Sequence, residues 1–148
     1  MFAPRLVMSA LVFAGLLCTT AGHAYVLDET ADGIAFIEGG IGEEEVGVLE
    51  AERPRYSLRV RTAARHSGAY LADVFLRIRD GVGHVVFERR LQAPWLLIAL
   101  PPGRYEIEGV HDGDVDLRSV TIGEHAHGEA VLYFPVDGES APHRAGDD

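Results

Sequence analysis

The 148-residue chain contains no lysine and a single cysteine, and no apolar run long enough to span a bilayer. Each shortage excludes something. All 13 basic residues are arginines, set against 23 Asp and Glu, for a net charge of −10. That balance argues against a surface for nucleic acid or for anionic lipid, both of which demand clustered positive charge. The longest apolar run, Leu6 to Leu17, follows Arg5 and precedes "CTTAGHA". A dozen residues fall short of the roughly 20 that cross a membrane. A positive start, a short apolar core and the small-x-small ending Gly22-His23-Ala24 have the layout of a secretory leader. The expected boundary is therefore a signal peptide over residues 1–24, with a periplasmic or secreted product and no membrane insertion after cleavage.

Cys18 lies inside that leader and follows Leu17, whereas a lipidated cysteine normally follows a small residue. Cleavage after Ala24 leaves a chain without cysteine, so no disulfide supports it even in a compartment that permits one. About 124 residues then remain, enough to bury roughly two thirds of the unfolded surface and to rely on the core alone.

Three zones follow the leader. Residues 25–55 form an N-terminal extension: a short strand candidate over Gly33–Ile37, the turn Gly39-Gly40, and a helix over Glu43–Glu52. Glutamates fill the first helical turn, where they favour the positive end of the helix dipole. Val46 and Leu49 face the core, and Pro54 stops the helix. Residues 56–134 read as seven strands: "YSLRVRT", "DVFLRIR", "HVVFE", "WLLIAL", "RYEIEGV", "VDLRSVTI" and "GEAVLYF". Alternation dominates, turn signals recur every 8–12 residues, and no segment supplies a crossover helix. This predicts an antiparallel sandwich rather than a parallel sheet. "WLLIAL" suits a strand buried on both faces, and the parity change between Leu117 and Val120 predicts a bulge. Residues 135–148 are polar and aperiodic, as in a disordered tail.

"LPPGRY" places Pro102-Gly103 at the centre of a type II turn. Together with "LADVFLRIRDGVGHVVFE" and "WLLIALPPGRYEIEGV", it resembles the carboxypeptidase regulatory-like domain, a transthyretin-like (prealbumin-like) sandwich. The family's Leu-x-Pro-Gly-x-Tyr hairpin is matched by Leu100 to Tyr105, and its upstream strand by Ala72, Val74 and Leu76. "RRLQAPW" replaces the family's Thr-Asp-x-x-Gly segment. "GGIGEEE" with "PWLLxxLPPGxY" also resembles small secreted bacterial proteins. The resemblance implies a seven-stranded transthyretin-like or Ig-like fold and a non-catalytic binding or structural role, without naming a ligand or a cofactor. Two enzymatic relatives of that fold are not matched. The last strand ends Tyr133-Phe134-Pro135-Val136 instead of the Tyr-Arg-Gly-Ser of hydroxyisourate hydrolases. The tyrosines and histidines show no spacing that selects the four iron ligands of intradiol dioxygenases.

Several residues carry possible chemistry. His125 and His127 share one side if their segment is extended, and neutral imidazoles suit Zn, Cu or Ni. His111 in "HDGD" is a third candidate, but strand order puts it at the opposite end from His125. "HDGD" reads either as calcium oxygens or as an Asp-Gly hairpin turn. "GGIGEEE" lacks the Lys and Ser/Thr of a phosphate loop, leaving an acidic docking edge or a solvated helix start. Arg55, Arg59, Arg61 and Arg65 form an outward stripe that Arg77 and Arg79 extend on a neighbouring strand. The stripe protects an edge, recognises an anionic polymer or carboxylate, or pairs with Glu106 and Glu108 across strands. Trp95 is either a core-rim residue or, if exposed, a binding anchor. The expected function is an exported, non-catalytic module of the cell envelope with a protein or glycan partner. The alternative is a metal-handling protein using His111, His125 and His127.

Overall fold

The computed structural model describes residues 25–138; the leader, Cys18 and most of the C-terminal tail lie outside the described residues. Strand β1 (Val26–Glu29) and β2 (Ala35–Gly39) precede helix α1 (Glu43–Glu52) and a 3-10 turn at Arg53–Arg55. Then come β3 (Leu58–Ala64), β4 (Val74–Asp80), β5 (Val85–Leu91), β6 (Trp95–Ile98), β7 (Gly103–His111), β8 (Asp114–Ile122) and β9 (Gly128–Phe134). They form a five-stranded sheet, β1-β2-β6-β3-β9, and a four-stranded sheet, β5-β4-β7-β8. Leu58, Val60, Leu96, Ile98 and Leu132 from the first sheet meet Val74, Leu76, Ile78, Leu91 and Ile107 from the second in one core. The molecule is thus a mainly β sandwich. No helix among the described residues is long and apolar enough to cross a membrane.

Strand count and direction depart from the sequence reading. Among the described residues there are nine strands rather than seven, because the segment before Tyr56 contributes two. β2 coincides with the candidate near Gly33–Ile37 and pairs with β6. β1 left no pattern to read: all four residues are exposed and pairing with β2 alone holds it. The β3–β9 pair is parallel, in register from Leu58↔Gly128 to Ala64↔Phe134. The crossover-helix argument applies to parallel strands adjacent in sequence; here the entire second sheet lies between the two.

The run "WLLIALPPGRY" joins the sheets. All four residues of β6 are buried, Leu96 in the inter-sheet core and Trp95 with Leu97 in a second cluster on the outer face. Residues 99–102 then carry the chain across to the other sheet, so the expected type II turn does not form. Gly103 has φ 158°, far from the value near +80° that such a turn requires. The motif acts as a latch instead. Tyr105 donates its hydroxyl proton to the Pro101 carbonyl at 2.7 Å. Ser57 Oγ accepts from Leu100 N at 2.8 Å and donates to Leu100 O at 2.7 Å.

The bulge expected in β8 is also absent, since β7 and β8 pair without interruption from Gly103↔Ile122 to His111↔Asp114. The register shift lies in the β4–β5 pair, between Ile78 and Arg79. Leu117 and Val115 face outward, 52% and 55% exposed, because Arg118 and Asp116 hold the inward rim positions beside β9. Arg118 Nε donates to Val131 O at 3.1 Å, and Tyr133 N donates to Asp116 Oδ2 at 2.8 Å. Side chains thereby occupy the outer edge of β9 at Val131 and Tyr133.

Helix α1 covers the outer face of the five-stranded sheet, with Leu49 buried against Ile37, Tyr56, Trp95 and Leu97. Glu45 reaches back from its first turn and accepts from Gly40 N at 3.1 Å and Ile41 N at 2.9 Å. It ties the residues just before the helix to its first turn, where Gly42 provides no side-chain cap. Gly40 has φ 98°, and a Cβ there would lie 2.8 Å from the Trp95 ring. "GGIGEEE" is thus a tight helix entry under a tryptophan.

One buried charge is decisive for the sandwich edge. Glu38 shares the core face of β2 with Phe36 and is 1% exposed. Its Oε1 accepts from Gln92 N and, at 3.2 Å, from Ala93 N. Arg89 Nε lies 2.9 Å from Oε2 as an ion pair without hydrogen-bond alignment, and its guanidinium stacks on Phe36. Parity was the available signal: Arg89 alternates with Phe87 and Leu91, Glu38 with Phe36.

Two stability predictions follow from these contacts. At Gly109 a Cβ would stand 2.7 Å from Leu132 and 2.9 Å from Phe134. Gly109→Ala is expected to cost about 1–3 kcal/mol in urea unfolding, as overpacking does. Glu38→Ala is expected to cost about 3 kcal/mol, as removal of one buried partner does. Glu106→Ala, at an exposed cross-strand pair, should cost less than about 1 kcal/mol; equal losses would remove the special role of Glu38.

Candidate functional site: an arginine–tyrosine groove beside β9

The arginines divide between two faces. On β3 only Arg59 and Arg61 point outward; Arg55 lies in the 3-10 turn and Arg65 follows the strand. β3 is an interior strand, so the stripe does not guard an edge. Arg77 and Arg79 do not extend it, because β4 belongs to the other sheet. There, Arg77 pairs with Glu88 at 2.5 Å and Glu108 at 3.1 Å. Arg79 pairs with Glu106 at 3.5 Å and Glu108 at 3.7 Å. Those contacts follow the β4–β7 register, Arg77↔Glu108 and Arg79↔Glu106.

On the first sheet, Glu129 gathers three arginines: Arg59 at 2.7 Å, Arg53 at 3.7 Å, and Arg61 in direct hydrogen bond. Arg59 also meets Glu50 at 2.8 Å. Beneath them Trp95 is 3% exposed, with the guanidinium carbons of Arg59 and Arg61 5.2 and 5.7 Å from its ring centre. Such stacking contributes about 0.5–2 kcal/mol. Trp95 therefore does not present its ring to a ligand. It supports Tyr70 instead, whose ring meets it edge-on at 5.8 Å and 81°.

The histidines do not converge. His111 closes the β7–β8 turn opposite Asp114, with Asp112 and Gly113 at φ 48° and 89°. Both values are positive, as an Asp-Gly hairpin of the primed type requires. His125 lies beyond the far end of β8. His127 donates Nδ1–H to the Tyr56 carbonyl at 2.7 Å, which turns it towards the start of β3. Among the described residues no group of three or more His, Cys, Asp or Glu is placed to hold a metal ion.

The groove itself escaped sequence reasoning. A cleft of about 560 Å³ is lined by Arg65, His66, Ser67, Gly68, Arg118 and Tyr133. A smaller one of about 160 Å³ shares Gly68 and Tyr133 and adds Arg61 and Tyr70. Among the described residues neither has an acidic lining residue. Clefts elsewhere do: Asp80 and Glu106 in one, Asp28, Glu29, Asp32 and Glu88 in another. Tyr70 and Tyr133 are 49% and 38% exposed. Arg65 reaches only the Tyr133 carbonyl, at 3.4 Å, and has no carboxylate within ion-pair distance among the described residues. Burial disfavours the charge of Arg61, but the hydrogen bonds it donates to Tyr70 and Glu129, with the charge of Glu129, outweigh it and raise its pKa. The parallel β3–β9 pairing brings Arg61, Arg65 and Tyr133 to one end; without that pairing no pattern in the chain links them.

Compared with known proteins, the chain matches no protein-family model and no curated protein.

Burial pushes the Glu129 carboxyl up, and Arg59 and Arg61 more than reverse the effect, leaving its pKa below the usual glutamate value. A depressed folded pKa contributes stability that is complete above the unfolded value, about 4.3, and is lost as pH falls through the folded value. Glu129→Gln should therefore flatten the fall in unfolding free energy below about pH 5. An unchanged acid slope in urea titrations would show that the triple-arginine contact does not form in solution.

Proposed function

We propose that the protein is an exported, non-catalytic interaction module of the cell envelope, built on a transthyretin-like or Ig-like sandwich, and that it engages its partner through the β3–β4 loop and the outer side of β9. The arginine–tyrosine groove, with no acid among its described lining residues, carries this reading. On a chain of net charge −10, two adjoining clefts lined by arginines and exposed tyrosines mark a surface suited to recognition. The short leader with its small-x-small ending supports export, and the "LPPGRY" resemblance supports a binding role.

Retention on immobilised protein tests the reading. Envelope extract from a Gram-negative host should yield a component held by the wild type and by Arg79→Glu, and lost by Arg65→Glu. Equal retention by all three, or none by any, would contradict it. Mass spectrometry of the exported product should show a mature N-terminus at Tyr25.

A further inference from the structure

The groove combines three features that restrict its ligand. Its lining is basic: Arg65 has no carboxylate partner among the described residues, and none of the described residues lining either cleft is acidic, although Asp116 pairs with Arg118 and Glu129 with Arg61 at the margins. Arg118 commits Nε to Val131 O and Nη2 to Asp116, at 3.1 and 2.8 Å, and its Nη1 group makes no hydrogen bond among the described residues. A planar guanidinium presents paired N–H donors that match a carboxylate fork. His66 is exposed beside Arg65.

Its aromatic surface is built from Tyr70 and Tyr133. Tyr70 is backed by Trp95, which is itself held under Arg59 and Arg61. Tyr133 stands on β9 across the smaller cleft from Tyr70. Two half-exposed phenol rings offer flat apolar faces with polar tips, suited to the C–H face of a hydroxylated ring.

Its backbone is closed. The outer edge of β9 is taken at Val131 O by Arg118, at Tyr133 N by Asp116 and at Tyr133 O by Arg65. A peptide cannot add here as a further strand, the mode in which main-chain hydrogen bonds supply the affinity. Recognition must come from side chains acting on charge and on flat ring faces.

We propose that the groove binds a carboxylate-bearing polysaccharide, its sugar rings on Tyr70 and Tyr133 and its carboxylates on Arg65 and Arg118. This rests on the interaction-module reading and specifies its ligand. The net negative charge of the whole chain does not steer such a polymer, so selection falls to short-range contact.

Calorimetric titration of the full exported chain tests the assignment with three probes: oligogalacturonate, its methyl ester, and poly-glutamate of equal charge. Oligogalacturonate should bind, and esterification or Arg65→Ala should each weaken it by about tenfold, as loss of a charged hydrogen bond does. Tyr133→Ala should act similarly, whereas Arg104→Ala, in a separate cleft, should change nothing. Arg65 and Tyr133 are exposed, and urea unfolding confirms that each variant is folded. Equal binding of acid and ester, indifference to Arg65→Ala, or no binding at millimolar oligogalacturonate would overturn the proposal. Poly-glutamate binding as tightly as the uronate would overturn it as well, in favour of an acidic peptide. If retention of an envelope component still depends on Arg65, only the ligand class is lost; if retention also fails, the interaction reading falls with it.

Discussion

The buried carboxylate of Glu38 anchors the connection between the two sheets from which the path to the groove starts. It ties β2 to Arg89 on the opposing sheet and accepts the Gln92 and Ala93 amides, holding the connection into β6 in one conformation. The next residue, Pro94, offers its carbonyl to Thr62 N at 3.0 Å and to Thr62 Oγ1 at 3.2 Å. Thr62 in turn binds Leu71 through both its hydroxyl and its backbone. Tyr70 precedes Leu71 and meets Trp95, the first residue after Pro94. A short series of contacts thus runs from a charge in the core to an exposed ring on the groove. Burial of an ion is costly unless paired and hydrogen-bonded, and here the partners that satisfy it also set the geometry of the surface.

A second pattern concerns the pairing of arginine. On the four-stranded sheet Arg77 and Arg79 face Glu88, Glu106 and Glu108, and the charges cancel in register. On the other sheet Glu129 draws Arg53, Arg59 and Arg61 together over Trp95. Exposed pairs of this kind contribute little stability individually; they fix where side chains point. Arg65, just past the end of β3, stands outside the arrangement. It sits beside Tyr133 and Arg118 with no carboxylate partner of its own among the described residues, and that unpaired guanidinium is the physical basis for the function proposed for the groove.

Much of the fold was legible because alternation is a strong signal. Val74, Leu76 and Ile78 read as inward and are buried, and Leu49 of the helix is buried as well. β1 was not legible, since four exposed residues held by one neighbour leave no pattern. The LPPGRY stretch misled locally: proline and glycine suggest a reversal within one sheet, while the chain instead passes between sheets and Tyr105 latches onto Pro101. The apparent bulge in β8 arose from Leu117, an apolar residue left outward because Arg118 and Asp116 serve the edge of β9. Of the functional candidates, Arg59 and Arg61 pointed outward as read, but Arg77 and Arg79 lie on the opposite face. The groove was hidden because it depends on a parallel pairing of strands some 70 positions apart, as the Arg59↔Glu129 register illustrates. Alternation within a strand says nothing about which distant strand will lie beside it.

The most direct test of the central claim is a contact measurement in solution. Nuclear Overhauser spectra of the protein with bound oligogalacturonate should show sugar ring protons close to the aromatic protons of Tyr70 and Tyr133. Amide shifts should concentrate at residues 65–70 and 131–133. Contacts that fall instead on the outer face of the four-stranded sheet, around Leu117 and Val115, or in the cleft beside Arg104, would contradict the account.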